Sequence, residues 1–154
     1  MKKAISMVSL ILCMVFVLSC SDDDSLNEAT KQRNAIMNEL KAYNEFNEFI
    51  LCMKAMDIST HPATRFTVFA VKDREITPPQ LVEIWNYYAA SQMAVGSFDI
   101  EALKKLSSIE MLDGRTFEVK TVGDNVYING MLVEPLESKG VNILYRVTEP
   151  FAKL

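Results

Sequence analysis

The spacing of hydrophobic residues changes period part-way along this 154-residue chain, and that change constrains the fold more than any other feature. Over residues 27–57 the apolar positions Ile36, Met37, Leu40 and Tyr43 recur at steps of three and four, the period of one helix face. Phe46, Phe49, Ile50, Met53 and Met56 continue that spacing after a shift near Tyr43-Asn44. The shift predicts two helices, with Asn44 as the N-cap candidate for the second. Ser59 to Thr64, with its His61-Pro62 step, closes them in a loop. "RFTVFAV", residues 65–71, is dense in β-branched and aromatic side chains and too short for a helix, which predicts a buried strand. Thr77-Pro78-Pro79 then predicts a helix start, with Leu81, Ile84, Trp85 and Tyr88 on its apolar face and Gly96 breaking it. Ser97 or Asp99 opens the short helix "DIEALKKL".

Beyond that point the period falls to two. Phe117, Val119 and Thr121 alternate with Thr116, Glu118 and Lys120, which predicts a strand with one wet face. Gly123-Asp124-Asn125 is a turn into "VYI", and Asn129-Gly130 is a strong two-residue hairpin signal leading into "MLVEP". A last strand runs through "NILYRV". Helices early and hairpin-joined strands late predict an α+β domain with a largely antiparallel sheet.

The N-terminus has a different grammar. Lys2 and Lys3 precede an apolar run, Ala4 to Leu18, that falls short of the roughly 20 residues a membrane span needs. The run stops at Ser19-Cys20 and gives way to Ser21-Asp22-Asp23-Asp24. Val17-Leu18-Ser19-Cys20 resembles the lipobox of bacterial lipoproteins. That resemblance implies a signal peptide over residues 1–19, cleavage before Cys20, and fatty acylation of that cysteine. Three adjacent aspartates cannot be buried unpaired, so residues 20–30 are expected to be a lipidated, solvated acidic linker. Cys20 to Asp24 also resembles the acidic export tag of surface lipoproteins in one group of Gram-negative bacteria. Outer-membrane, cell-surface exposure is the implied location, with the chain anchored to the membrane and not spanning it.

Loss of Lys2 and Lys3 with the signal would take the net charge from −4 to about −6. Such a surface has no general attraction for nucleic acid or anionic lipid. Cys13 leaves with the signal and Cys20 carries lipid, so Cys52 has no partner for an internal disulfide.

Several strings, in order, are similar to those of a fasciclin-like domain, spanning residues 31–154. "LKAYNEFNEFILCMKAMDI" resembles that family's paired opening helices. Thr67-Val68-Phe69-Ala70 matches its TVFA box, and Asp73 stands where the box carries Asp or Asn. Leu112-Asp113-Gly114-Arg115-Thr116 falls at its Leu-x-Gly turn, "VYINGMLV" at the following hairpin, and "NILYRVTEPF" on its second box. Val71 replaces the family's proline, the central Tyr-His pair is Tyr87-Tyr88 or Tyr88-Ala89, and Tyr145 stands at the second box's histidine. The resemblance implies N-terminal helices packed on a largely antiparallel β-sheet wedge, and a non-catalytic adhesion module.

The residues that carry chemistry are few. His61, the single histidine, sits beside proline without the further His or Cys ligands a metal would want, so no metal or cofactor is expected. Cys52 lies on the apolar stripe with Phe49, Met53 and Met56 and reads as a small buried hydrophobe, not a nucleophile. No phosphate loop or Ser-His-Asp set is present, which points away from an enzyme. Trp85, Tyr87 and Tyr88 cannot all face inward from adjacent helical positions, so they are the candidate binding surface for a protein or glycan partner. The alternative expectation is a structural accessory subunit of an outer-membrane nutrient-uptake or surface complex.

Overall fold

The computed structural model describes residues 27–73 and 85–152. The expected signal peptide, Cys20, the Ser21 to Asp24 tag and the Thr77 cap lie outside the described residues, as do the side chains of Trp85 and Tyr87.

Helix α1 spans Glu28–Leu40 and begins at Asn27, whose side-chain oxygen accepts from the Thr30 N–H at 2.9 Å. Its inward residues Ala29, Ile36 and Leu40 are fully buried. A 3-10 turn over Lys41–Tyr43 ends at Asn44, which adopts a left-handed conformation with φ of 55°. Asparagine tolerates that region better than most residues. Asn44 therefore stops the first helix and does not start the second. Helix α2, Asn47–Ala55, follows Phe46, which gives it no side-chain cap.

Strand β1 covers Phe66–Val71, and helix α3 is described over Trp85–Ala90. The helix does not run on to Gly96 as expected, because Met93–Val95 forms β2 against β1. Helix α4, Ile100–Leu103, is capped by Asp99, which accepts from the Ala102 N–H at 2.8 Å. Asp99 thus decides between the two predicted starts. Strands β3 (Ser108–Glu110), β4 (Thr116–Val122), β5 (Asn125–Ile128), β6 (Met131–Leu132), β7 (Glu134–Pro135) and β8 (Ile143–Val147) complete the described elements.

The α+β class is as expected, with four helices among the described residues, but the strands form two sheets and not one. The first has the order β2-β1-β8-β7, the second β3-β4-β5-β6. The second is antiparallel throughout. The first is mixed. Its central pair, β1 and β8, runs parallel with Thr67 opposite Ile143 and Val71 opposite Val147. A parallel pair is stable when helices and other layers cover both faces, and here β1 is buried at every residue. Five of the six strand pairings among the described residues are antiparallel, as expected, and this central pair is the parallel exception.

One hydrophobic cluster joins both sheets and the helices. Phe69 is its aromatic hub, stacked on Tyr145 with centroids 5.4 Å apart and edge-on to Phe151 at 5.2 Å. Three of the buried polar side chains tie segments together. Gln92 donates to the Phe69 carbonyl and accepts from the Phe151 N–H, so one amide links β1 to the C-terminal segment. Asn142 accepts from the Phe66 N–H at 2.8 Å and donates to Gln32 of α1. Thr67 donates to the Gly96 carbonyl and accepts from the Phe98 N–H, each at 2.9 Å. Leaving such groups unpaired in the interior would cost about 1–3 kcal/mol each.

Candidate functional site

Asp73 follows β1 by two residues, and its position shows what that strand's exit does. Its carboxylate accepts from the backbone N–H groups of Asn47 at 3.1 Å and Glu48 at 2.9 Å, and from the Asn47 side chain at 2.9 Å. It is the missing N-terminal cap of α2, supplied from 26 residues downstream. A negative charge at that end is also favoured by the helix dipole. The Asp73 N–H in turn donates to the Glu45 carbonyl at 2.7 Å. Beside it Glu45 pairs with Arg146 of β8 and, at 3.7 Å, with Lys72, and Arg146 also faces Glu134 at 3.7 Å. The segments that carry the TVFA and NILYRV strings are thus bound to each other and to the helical layer.

Tyr145, at the position compared with the second box's histidine, is buried and donates its hydroxyl to the Phe98 carbonyl at 2.9 Å. Burial, with the Asp99 charge nearby, raises its phenol above the usual range. The residue holds a hydrogen bond between β8 and the loop before α4.

Of the three candidate surface aromatics, Tyr88 faces the core. It is 6% exposed, and its ring meets Phe49 edge-on with centroids 6.2 Å apart. Tyr88 is therefore removed from the binding surface, because its helix packs on α2.

Cys52 is buried, and desolvation first, then the Glu48 charge, pushes its thiol up to about 12. A thiol in that state is not a nucleophile at neutral pH. His61 is half-buried in the 58–61 loop, where Nδ1 accepts from the Ala63 N–H at 3.1 Å and the ring lies near Phe66. It shapes the loop. Asn27 donates to the Ile58, Ser59 and His61 carbonyls of that loop, so the start of α1 is fastened to it. Among the described residues no cluster of three or more His, Cys, Asp or Glu side chains could hold a metal.

Two open grooves stand out as surfaces. One, of about 370 Å³, lies between the outer edges of β2 and β3, floored by Val95, Phe98, Leu106, Ile109 and Met111. Nearby, the Leu112 N–H donates to the Met93 carbonyl at 2.7 Å and ties the two segments together. The other, of about 520 Å³, is rimmed by Met56, Ile58, His61, Leu112 and Arg115 beside the start of α1. Arg115 is engaged with Asp113 at 2.7 Å, so the second groove offers apolar wall more than free charge. Neither groove has a sequence signature, since each is assembled from segments separated along the chain. Among the described residues, no helix is long and apolar enough to cross a membrane. No family model and no curated protein matches the chain.

Proposed function

We propose that this chain is a surface-anchored bacterial lipoprotein. Its single fasciclin-like domain serves as a non-catalytic adhesion module for a protein or glycan at the cell surface. The observation that carries the domain reading is the pairing of its two most family-like strings. Thr67 to Val71 and Ile143 to Val147 lie side by side in register at the centre of the first sheet. Asp73, the acidic residue after the first string, joins that pair to α2. On this reading the signature segments build the core, and ligand contact falls to the grooves and exposed faces around them.

Anchoring rests on Cys20. Several acyl chains give stable membrane attachment where one is marginal, at about 0.8 kcal/mol per buried CH₂. Cys20→Ala is expected to release the protein from the membrane fraction. Retention of the variant in that fraction overturns the lipid anchor. Binding is tested separately, by applying the purified domain to a glycan array and to immobilised matrix proteins. Saturable binding supports an adhesion module.

The accessory-subunit reading has one observation in its favour. Asn27 already caps α1, so only residues 21–26 separate the domain from Cys20. Even fully extended, a stretch of that length reaches no more than about 25 Å. A domain of this size has a radius of gyration of about 14 Å, so such a tether keeps it close to the bilayer. That suits a partner in the same membrane. A Gly/Ser insert after Asp24 should weaken function inside a membrane complex and leave capture of a soluble ligand unchanged.

A further inference from the structure

The turn between β5 and β6 carries a reactivity that the binding reading does not use. Asn129 is the one asparagine in the sequence followed by glycine. It takes the first turn position with φ of 49°, and Gly130 takes the second with φ of 79°. Both residues are exposed, and apart from its chain neighbours nothing lies within 4 Å of where a Cβ on Gly130 would sit. Gly130 thus has no side chain of its own to hinder approach of its peptide nitrogen to Asn129.

We propose that Asn129 is a site of spontaneous covalent modification, gated by the docking of the C-terminal segment. In the first step the Gly130 peptide nitrogen gives its proton to hydroxide and attacks Cγ of Asn129. An N–Cγ bond forms, the Cγ–Nδ2 bond breaks as Nδ2 takes a proton from water, and ammonia leaves with the hydroxide regenerated. In the second step one water molecule opens the five-membered imide at either carbonyl, which leaves aspartate or isoaspartate at position 129. Solvent is the sole co-reactant, and nothing is oxidised or reduced.

The gate is the leaving group's own hydrogen bond. Asn129 Nδ2 donates to the Phe151 carbonyl at 2.5 Å. Phe151 is buried, its ring meets Phe69 and Phe117, and its N–H is held by Gln92. While that segment is docked, the side-chain amide is held on the Phe151 carbonyl and resists the rotation that brings Cγ to the Gly130 nitrogen. Undocking frees it. The products then oppose redocking, because a carboxylate replaces the donor and meets the Phe151 carbonyl lone pair against lone pair. Isoaspartate also inserts a backbone carbon into a two-residue turn, on whose length the pairing of Ile128 with Met131 depends.

The test incubates the purified full chain at mildly alkaline pH, native and in denaturant, and maps aspartate and isoaspartate by peptide mass spectrometry. In denaturant Asn129 should convert faster than every other asparagine, Asn125 included. In the native protein its conversion should be slower by at least roughly fivefold, the factor that one hydrogen bond of ordinary net strength supplies. Conversion at Asn129 no faster than at Asn125 in denaturant overturns the site. Equal native and denatured rates overturn the gate. Asn129→Asp, which mimics one product, should fold with a lowered thermal midpoint, and an unchanged midpoint overturns the claimed effect on redocking.

Discussion

All six residues of β1 are buried, whereas of the seven in β4 only Val119 is. The two strands sit in different sheets and use side chains in different ways. In β1 every position meets protein, so the strand reads as one continuous run of β-branched and aromatic residues. In β4 one face is wet, and Glu118, Lys120 and Val122 line it. The first sheet is therefore where stability is concentrated, and the second is where the surface can vary without loss of the fold. The parallel pair at the centre of the first sheet ties together residues almost 80 positions apart, and little can be moved there.

The contrast is tested hardest by a charge in β1. Val68 is 0% exposed and lies between Met93 and Leu144 of the neighbouring strands. An unpaired carboxylate there costs several kcal/mol or more, which is comparable with the whole stability of a domain, about 5–15 kcal/mol. Val68→Asp is expected to abolish the cooperative unfolding transition. A soluble variant with a normal melting curve would break the comparison outright.

The next effect compares two phenylalanines. Phe69→Ala should destabilise by about 3–5 kcal/mol, because it empties the space between Tyr145 and Phe151. Phe117 of β4 is only half-buried, against the same Phe151 at 5.6 Å, so Phe117→Ala should cost clearly less. Denaturant unfolding of the two variants side by side sharpens the contrast, and equal losses would mean that the second sheet is as central as the first.

The core side also carries a pH signature. Cys52 has its thiol pushed up to about 12 by burial, and Tyr145 is raised as well. An unfolded thiol ionises near pH 8.5 and an unfolded phenol near 10. Above those values the unfolded chain has released protons that the native one still holds, so stability is complete below about pH 8.5 and falls as the pH rises toward 12. Cys52→Ala should remove the earlier part of that alkaline decline. An identical pH profile for the variant would show that the thiol is not buried as described.

These elements were legible in the sequence to unequal degrees, for physical reasons. β1 and the Asn129-Gly130 hairpin announce themselves, one by β-branched density and the other by the positive φ that the turn requires. β2 and β3 do not, since each is three residues long and made by its neighbour more than by its own composition. The parallel pairing of β1 with β8 is invisible to local spacing, because nothing in either string states its partner's direction. The α2 cap failed for the same reason. Asn44 has the right residue type in the right place locally, yet Asp73 arrives from 26 residues away and takes the role. Tyr88 of the candidate surface went to the core because α3 packs on α2, a contact between two helices that neither string announces.

Asp73→Ala follows as a mid-sized test of that non-local cap. Loss of an N-cap side chain costs about 0.5–2 kcal/mol, and here two backbone N–H groups lose their acceptor together. The variant should melt lower and show faster amide exchange at Asn47 and Glu48. Asn44→Ala should leave exchange at those two amides unchanged. If Asn44→Ala and not Asp73→Ala loosens them, the cap is local after all.

The smallest expected effect lies on the wet face of the second sheet. Lys120 sits opposite Tyr127, which sits opposite Leu132, in a row across three strands. Its ammonium group is 3.0 Å from Glu118, with both side chains more than 60% exposed. Exposed pairs of this kind contribute about 0–1 kcal/mol, because water screens the attraction and two long side chains must be held in place. Lys120→Ala should therefore change stability by no more than about 0.5 kcal/mol. A loss above about 1 kcal/mol in denaturant unfolding would mean that the Lys120, Tyr127 and Leu132 row is structural. The second sheet would then share the constraint of the first, and the division between an invariant centre and a variable face would have to be given up.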